Sequence, residues 1–505
     1  MSVSRSITMH PRLADALALL SGALLVVAFA PFEVRVLAVV APMLLFLLWL
    51  DAAPGTAARL GYLFGLGMFG LGVSWIFNSL HFFGAAIAPL AGLITLLFVM
   101  FLSLYPALLG ALLARWRHRP AVFLLLIAPS GWVLWEWLRG WFLTGFPWLY
   151  LGHTQVDTWL GGVAPLLGVL GVSWLVALIA GLLVLALRAS GPARWLGAGA
   201  ALVLWLLSGA LSQLEWTRPS GEPLRATLIQ GSIAQVDKWN LEQFDATLEL
   251  YRRLTRENWD SDLIVWPETA VPTFYFEVHQ DYLLPLREEA EANDTDLLIG
   301  IFGYDFETRA IYNSILSWGA TPGMYHKRHL VPFGEYIPLR GLLGWLDGLI
   351  EIPMSDLSSG SGRPLLTAAG QPIGLSICYE DAFGEEMIDA LPEATLLVNV
   401  SNDAWFGVTQ APHQHLEIAR MRARETGRYL LRATNTGISA VIGPRGEVVA
   451  VSPQSETEPA VLTAVVQPRS GTPWYGLWGN GGPVSLLLIA LSIGIWISRR
   501  ERPAT

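Results

Sequence analysis

Three polar residues stand at or just after predicted strands. Glu268 ends the apolar run "LIVWPE", Cys378 ends "IGLSIC", and Lys327 lies in "YHKRHLVPFGEY" with Glu335 eight residues later. Strand ends at one edge of a sheet are where α/β enzymes assemble their sites. The sequence therefore predicts that a carboxylate, an ammonium and a thiol converge at one sheet edge.

These residue types suit nucleophilic attack on a carbonyl carbon. A free cysteine has a pKa of about 8.5 and is mostly a thiol at neutral pH. The Glu268 carboxylate can remove that proton, the Lys327 ammonium can stabilise the thiolate and the oxyanion, and Glu335 can hold Lys327 charged. This chemistry needs no metal and no organic cofactor. Because Cys378 is the only cysteine, the chain can form no internal disulfide and no cysteine-based metal cage.

Each residue also has a purely structural interpretation. A lone cysteine is often a small buried hydrophobe, a glutamate after proline can cap a helix, and a loop lysine is usually solvated. His413 and His415 are two residues apart on a predicted helix, so they do not form the i, i+4 pair of a helical zinc site. Solvated or hydrogen-bonded histidines are the expectation there.

The composition indicates a membrane protein that carries a polar domain. Hydrophobic residues make up 53% of the 505 residues and charged residues 14%. A spanning helix needs about 20 apolar residues. The sequence contains eight candidate spans, at 12–31, 34–51, 57–80, 86–114, 120–138, 160–187, 193–213 and 482–498. The first is expected to be retained rather than cleaved as a signal peptide, because Pro31 directly follows the "AFA" motif.

Basic residues in short loops predict the orientation. With the amino terminus inside, the outer short loops carry only Arg35 and Arg139, whereas the inner segments carry Arg5, Arg12, Arg59, Arg115, Arg117, Arg119, Arg188, Arg194, Arg499, Arg500 and Arg502. Both termini are therefore expected in the cytoplasm and the polar domain on the periplasmic side. The net charge of −9 gives no support for nucleic-acid binding.

The polar stretch 216–476 alternates strand and helix patterns, which predicts an α/β layered domain. Strands are expected at 225–233, 261–268, 295–304, 312–319, 372–380 and 394–402, helices at 240–258 and 412–434, and a hairpin at 438–451. The predicted domains are 1–215 with seven spans, 216–476 with the polar domain, and 477–505 with the eighth span.

Near a predicted membrane boundary, Glu136 and Arg139 are either functional charges or a structural ion pair.

Together, these motifs resemble the nitrilase or carbon–nitrogen hydrolase superfamily, in the order "WPE", "YHKRHLVPFGE" and "CYE", followed by "VSNDAWFG" (400–407) and "RATNTG" (432–437). Within it the chain resembles the apolipoprotein N-acyltransferases of the bacterial inner membrane. That resemblance extends to "FAPFE" (29–33), "SWIFNSLHFFG" (74–84) and "EWLRGWFLTGFPW" (136–148).

The resemblance implies an α-helical membrane bundle of about eight transmembrane helices plus an α/β, nitrilase-like α-β-β-α sandwich. It implies a Glu268–Lys327–Cys378 triad supported by Glu335, with no metal or cofactor. A phospholipid, such as phosphatidylethanolamine, would donate an acyl chain through a Cys378 thioester to diacylglyceryl apolipoproteins. A single chain is the default active unit.

The expected binding residues are Trp239, Tyr379, Glu380 and Trp148. Tyr379 and Glu380 would shape the pocket, and Trp239 would lie near the acyl-chain entrance, although a surface tryptophan touching lipid is the alternative. Trp148, in the amphipathic "GFPWLYLG" (145–152), would sit at headgroup level beside a lateral entrance.

Three other functions remain open from the sequence. A membrane-anchored nitrilase-type amidase would use the same triad with water as the second nucleophile. A catalytically dead lipid- or lipoprotein-binding module would leave the triad residues apart in space. A transporter fits the helix count but not the large outer domain, and the spans carry few charges.

Overall fold

The computed structural model describes residues 9–84, 86–189, 193–338 and 356–500. The chain separates into a helical unit, Met1–Phe77, Gly92–Leu214 and Leu477–Thr505, and a sandwich unit, Asn78–Ala91 and Glu215–Gly476. The segment Asn78–Ala91 covers the end of the predicted third span, the start of the predicted fourth span and the loop between them, and it clusters with the sandwich unit. Arg5 and Arg502, used to predict the orientation, lie outside the described residues.

The apolar sequence runs form the long helices Pro11–Val26, Leu37–Asp51, Pro54–Gly72, Ala88–Leu113, Ala128–Arg139, Ala164–Arg188, Ala193–Ser212 and Gly481–Arg500. Among the described residues, five stretches are long and apolar enough to cross a membrane: Ala88–Trp116, Pro120–Arg139, Trp159–Arg188, Arg194–Ser212 and Gly481–Arg500.

By helix length and hydropathy, fewer than the eight predicted spans are found among the described residues. The predicted third span, 57–80, is broken: Pro54–Gly72 and Ile76–Phe83 meet at a bend of 57°, and the pair would make a sixth span if counted as one. The helices Pro11–Val26 and Leu37–Asp51 have 16 and 15 residues, fewer than the roughly 20 that a straight crossing needs.

Glu136 and Arg139 hold a loop of the helical unit against the helix Ala128–Arg139. Glu136 accepts hydrogen bonds from Trp132 Nε1 at 2.9 Å and from the backbone N–H of Leu151 at 3.0 Å. Arg139 donates to the carbonyl oxygens of Phe146 at 2.7 Å and Trp148 at 2.5 Å. These contacts satisfy backbone groups that would otherwise be buried without partners, which favours the structural role over a functional one.

Residues 215–478, which include all of the sandwich unit except Asn78–Ala91, contain fourteen described strands and six described α-helices. The strands are Arg218–Pro219 (β1), Leu224–Gln230 (β2), Leu263–Val265 (β3), Asp296–Tyr304 (β4), Ile311–Trp318 (β5), Gly323–His326 (β6), Leu365–Ala368 (β7), Gln371–Ile377 (β8), Leu396–Ser401 (β9), Leu430–Thr434 (β10), Ala440–Ile442 (β11), Val448–Val451 (β12), Ala460–Val466 (β13) and Arg469–Ser470 (β14). The α-helices are Leu241–Arg256, Tyr275–Val278, Leu284–Ala292, Gly384–Ile388, Ala411–Thr426 and Trp474–Trp478.

Two six-stranded sheets form the centre of this unit, in the orders β13-β2-β3-β4-β5-β6 and β12-β11-β10-β9-β8-β7. In each, three central strands run parallel (β2-β3-β4 and β8-β9-β10) and the flanking strands are antiparallel. Inward residues such as Leu228, Val265 and Leu375 make one core between the sheets. The outer faces pack against helices, through Tyr251 and Leu286 on one side and the residues around Ala419 on the other. The layers are therefore helix, sheet, sheet, helix, as predicted.

One predicted helix is too long. The expected 412–434 helix ends at Thr426, because Gly427 adopts a left-handed conformation with φ 62° and closes it. Residues 430–434 then form β10, parallel to β9. The helix predicted at 240–258 is confirmed as Leu241–Arg256, where the Asn240 side chain accepts from the backbone N–H of Glu242 at 3.0 Å and caps the amino end.

Candidate active site

Three strands of the sandwich unit position the predicted site residues. Glu268 follows β3, Lys327 follows β6 directly, and Cys378 follows β8 directly. The Lys327 Nζ lies 2.9 Å from Glu335 Oε1 and 3.8 Å from Glu268 Oε1. The Cys378 thiol interacts electrostatically with both Glu268 and Lys327. All four side chains are buried, and Cys378 is 9% exposed.

Asn313, in β5, holds the two carboxylates together and was not anticipated from the sequence. Its Nδ2 donates to Glu268 Oε1 at 2.7 Å and to Glu335 Oε1 at 3.3 Å, and its backbone oxygen accepts from Lys327 N–H at 2.8 Å. The available signal was a polar residue inside the apolar strand "IYNSILSW". Asn313 therefore orients the proposed base and the lysine at once.

The charge state of Lys327 follows from its neighbours. Burial lowers the pKa of Lys327, but the carboxylates of Glu335 and Glu268 outweigh burial and raise it above its ordinary value. Glu335 is itself held by the backbone N–H of Val331, which donates to its Oε2 at 2.8 Å. Lys327 is thus a cation held in a buried site, where a positive charge acts more strongly on developing negative charge than it does in water.

Cys378 occupies a sharp turn at the end of β8. Its φ is 51°, in the left-handed region that few non-glycine residues adopt, and it opens the 3-10 turn Cys378–Ala382. Burial and then the Glu268 carboxylate raise the pKa of the thiol, while Lys327 acts in the opposite direction. These surroundings therefore favour the neutral thiol of Cys378 over the thiolate.

Glu380 joins the loop after β6 that holds Lys327 and Glu335 (residues 327–335, the lysine loop) to the turn Cys378–Ala382 (the cysteine turn). Its Oε1 accepts from Tyr325 Oη at 2.9 Å and from the backbone N–H groups of Arg328 at 2.6 Å and His329 at 3.1 Å, and its Oε2 accepts from the backbone N–H of Ile377 at 2.7 Å. Glu380 is 1% exposed. The sequence predicts that Glu380 shapes the substrate pocket, but its buried carboxylate is occupied by these four donors and holds the residues after Lys327 against the turn that begins at Cys378.

Two known protein families match this chain, one over its amino-terminal part and one over the sandwich unit. Residues 21–182 match the family described as the apolipoprotein N-acyltransferase N-terminal domain, and residues 225–475 match the carbon–nitrogen hydrolase family. The apolipoprotein N-acyltransferase of Methylococcus capsulatus is 47% identical, with 97% of each chain covered. That of Nitrosomonas europaea is 44% identical, covering 94% of this chain and 96% of the relative, and that of Vibrio cholerae is 38% identical, covering 98% and 100%.

The chain belongs to the apolipoprotein N-acyltransferase family. It is accordingly an acyltransferase and a membrane enzyme, with a nitrilase-like fold in its sandwich unit. Among solved structures, Nit3 of Saccharomyces cerevisiae, a nitrilase superfamily member, is similar at 20% identity with a TM-score of 0.39, covering 50% of this chain and 93% of that one.

In this N-acyltransferase, two predicted binding residues lie on the sandwich unit near the triad. Trp239 is 40% exposed, and its ring centroid lies 5.9 Å from that of Phe302. The half-buried Tyr379 directly follows Cys378. Its ring lies edge-on to the ring of Phe383, with the two ring centroids 5.1 Å apart. Both side chains remain candidates for substrate contact.

Trp148 is placed differently from the expectation. It belongs to the helical unit and is 1% exposed, with its ring 5.5 Å from Trp75 and 6.3 Å from Phe146. An indole this buried is not available at headgroup level. The expected position was wrong because an apolar, aromatic segment reads the same whether its tryptophan faces lipid or packs inside. Any effect of Trp148 on lipid binding would act through the loop that Arg139 holds.

A second buried lysine was also missed. Lys238 precedes Trp239 and donates from Nζ to the backbone oxygen of Glu268 at 3.0 Å. Burial lowers the pKa of Lys238 to about 8. Lys238 therefore ties the Trp239 segment to the backbone of the proposed base.

Proposed function

We propose that this enzyme moves one fatty acyl chain from a membrane phospholipid, through a thioester on Cys378, to the α-amino group of the lipidated amino-terminal cysteine of apolipoproteins. Phosphatidylethanolamine is the proposed donor and diacylglyceryl apolipoproteins are the acceptors. The observation that carries the proposal is the buried cluster of carboxylate, ammonium and thiol in a chain of this family.

In the first half-reaction, Glu268 takes the Cys378 proton as Sγ attacks the ester carbonyl carbon of the phospholipid. The oxyanion that forms is stabilised by the Lys327 ammonium. When the ester C–O bond breaks, the proton on Glu268 passes to the departing oxygen. The products are a lysophospholipid and a Cys378 thioester.

In the second half-reaction, the neutral α-amino group of the acceptor attacks the thioester carbonyl carbon. Glu268 accepts a proton from the attacking nitrogen, and Lys327 again stabilises the oxyanion. The C–S bond breaks, and the proton on Glu268 returns to the sulfur. The products are an amide and the free thiol, so one site serves both substrates in a ping-pong sequence.

The remaining roles follow from the contacts. Glu335 and Asn313 keep Lys327 and Glu268 aligned, and Glu380 sets the lysine loop against the cysteine turn. Tyr379 and Trp239 would contact substrate beside the nucleophile. Because the steps are proton and acyl transfers by residues of one chain, the proposal needs no cofactor and takes a single chain as the active unit.

The proposed location is the bacterial inner membrane, with the sandwich unit on the periplasmic side and both termini in the cytoplasm. The asymmetry of arginines between the predicted inner and outer loops supports this orientation. Both substrates carry acyl chains, so the site is proposed to work at the outer bilayer surface, with eight apolar helices traversing the membrane in whole or in part.

Intact mass measurement tests the mechanism. We expect the purified protein, incubated with phosphatidylethanolamine and no acceptor, to gain the mass of one acyl chain. Hydroxylamine should remove it, and the variant Cys378→Ala should not acquire it. A diacylated lipopeptide should then discharge the adduct onto its amine. Absence of an adduct under every lipid condition would overturn the transferase mechanism, and release of free fatty acid or hydrolysis of a small amide would favour the hydrolase.

The backbone position of Glu268 depends on Gly300 in β4. A Cβ there would lie 2.1 Å from the Pro267 oxygen and 2.8 Å from Glu268 Cα. We expect Gly300→Ala to displace Glu268 and slow thioester formation about 100-fold, the scale of a misplacement of roughly 1 Å. Gly199→Ala is the control, because nothing lies within 4 Å of the added carbon. Equal rates in the two variants would show that the position of Glu268 is not limiting.

A further inference from the structure

Four charged side chains form a closed ring of hydrogen-bonded ion pairs next to the turn that begins at Cys378. Two carboxylates, Asp381 and Asp403, alternate with two cations, His415 and Arg432. The contacts are His415 Nε2 to Asp381 Oδ1 at 2.9 Å, His415 Nδ1 to Asp403 Oδ1 at 3.0 Å, Arg432 Nη1 to Asp381 Oδ2 at 3.1 Å, and Arg432 Nη2 to Asp403 Oδ2 at 2.9 Å. The proposed mechanism uses none of these four residues.

The ring is buried and balanced in charge. Its members are at most 1% exposed. Both nitrogens of His415 face carboxylate oxygens, so both donate and the imidazole carries a positive charge. Burial and the Arg432 guanidinium lower the pKa of His415, but Asp381 and Asp403 outweigh them and raise it to about 9. Two negative and two positive charges sum to zero at neutral pH.

Two direct connections link the ring to the nucleophile. Asp381 lies in the turn Cys378–Ala382 itself. Asn399 accepts from Arg432 Nη1 at 2.6 Å and donates from Nδ2 to the Cys378 backbone oxygen at 3.3 Å. The ring thus holds the turn in which Cys378 has its left-handed φ, a conformation that persists only where the surroundings enforce it.

The ring charges also act on the thiol. Burial and the Glu268 carboxylate raise the pKa of Cys378, and Lys327 lowers it. The Asp403 carboxylate comes next in size and raises this pKa further. Arg432, within range of Cys378, opposes that influence. A ring that lost one cation would place a net negative charge behind the thiolate and make it harder to form.

We propose that Asp381, Asp403, His415 and Arg432 are positioning residues that hold the Cys378 turn and keep the net charge behind the nucleophile at zero. His415 supplies the positive charge that offsets Asp403. This inference deepens the proposed function, since it assigns what positions the proposed nucleophile. Its test reads the thiol itself, so it can fail independently of acyl transfer.

The test is the rate at which iodoacetamide alkylates Cys378 in the purified full chain at pH 7.5, followed by intact mass. The lone cysteine makes this readout specific. We expect His415→Gln to slow alkylation about tenfold, because the ring becomes negative, and Asp403→Asn to speed it about tenfold. A tenfold change corresponds to one unit in the thiol pKa. The double variant restores neutrality and should stay within about threefold of the parent.

His413→Gln is the matched control, since His413 lies on the same helix outside the ring, and it should leave the rate unchanged. A purely structural role would shift both single variants in the same direction, and that outcome would overturn the proposal. If His415→Gln fails to fold, Asp403→Asn decides the question, because an Asp403→Asn variant that is not alkylated faster would contradict the charge balance.

A last check uses the parent protein without any substitution. The logarithm of its alkylation rate should rise less steeply with pH above about pH 9, where His415 loses its proton. An unchanged slope would contradict the charge on His415.

Discussion

Lys327→Met should reduce the rate of thioester formation about 1,000-fold. The ammonium lies 2.9 Å from Glu335 Oε1 and 3.8 Å from Glu268 Oε1 and is the cation proposed to meet the oxyanion. Removing a preorganised oxyanion partner typically costs 100- to 1,000-fold. The substitution also leaves the Glu268 and Glu335 carboxylates buried without the ammonium that contacts both, so the proposed base loses a group that positions it. Pre-steady-state acylation with phosphatidylethanolamine, followed by intact mass, measures the effect.

A second variant separates chemistry from folding. Breaking a buried ion pair by removing one partner costs about 3–5 kcal/mol, so Lys327→Met should also unfold at a lower temperature. Lys327→Met combined with Glu335→Gln removes one stranded charge, and we expect it to recover much of the thermal midpoint without recovering the rate. If the double variant regains acylation, Lys327 acts through the fold alone and its proposed role is wrong.

Glu380→Gln should lower both the thermal midpoint and the acylation rate, the latter about 100-fold. The carboxylate accepts from Tyr325 and from the backbone N–H groups of Ile377, Arg328 and His329. An amide keeps one acceptor oxygen and turns an NH2 group toward donors, which costs roughly 1–3 kcal/mol for each unsatisfied group. The lysine loop and the cysteine turn would then lose their common support.

The pH dependence of stability gives an independent reading of Glu380. Burial raises the pKa of Glu380 from its ordinary 4.5 to about 7. Between these values the folded protein keeps a proton that the unfolded chain has released, so this residue's contribution to stability is full below about pH 4.5 and is lost as the pH rises to about 7. Thermal unfolding of the parent should show this decline, and Glu380→Gln should lack it.

The matched control for that experiment is Glu386→Gln. Glu386 accepts from His329 Nδ1 at 2.6 Å, and its side chain is 26% exposed, so its loss should cost less than about 1 kcal/mol. After burial, the Glu386 carboxylate is the next cause that raises the pKa of Glu380, so the pH-dependent decline should survive in this variant with a smaller amplitude. If it disappears there and persists in Glu380→Gln, the titration belongs to another group.

Local patterns were sufficient for much of the sandwich unit. Apolar runs predicted the strands β2, β4, β5, β8 and β9, and the helix predicted at 240–258 is present as Leu241–Arg256. Local patterns failed where a boundary depended on a neighbour: apolar and helix-forming residues continue past Thr426, but Gly427 and the pairing of β10 with β9 end the helix. The bend between Pro54–Gly72 and Ile76–Phe83 was also missed, because the residues on both sides of it are mostly apolar.

The sequence by itself determined the family of this protein and predicted the chemistry proposed for it, because only one thiol is present and the motifs around Glu268, Lys327 and Cys378 resemble those of that family. Only the tertiary structure decided how that chemistry is supported. Asn313 meets Glu268 across 45 positions of sequence, and Arg432 meets Asp381 across 51. Such contacts depend on strand register and sheet packing, so no local pattern of residues predicts that Asn313 or the buried ring lies close to the predicted site.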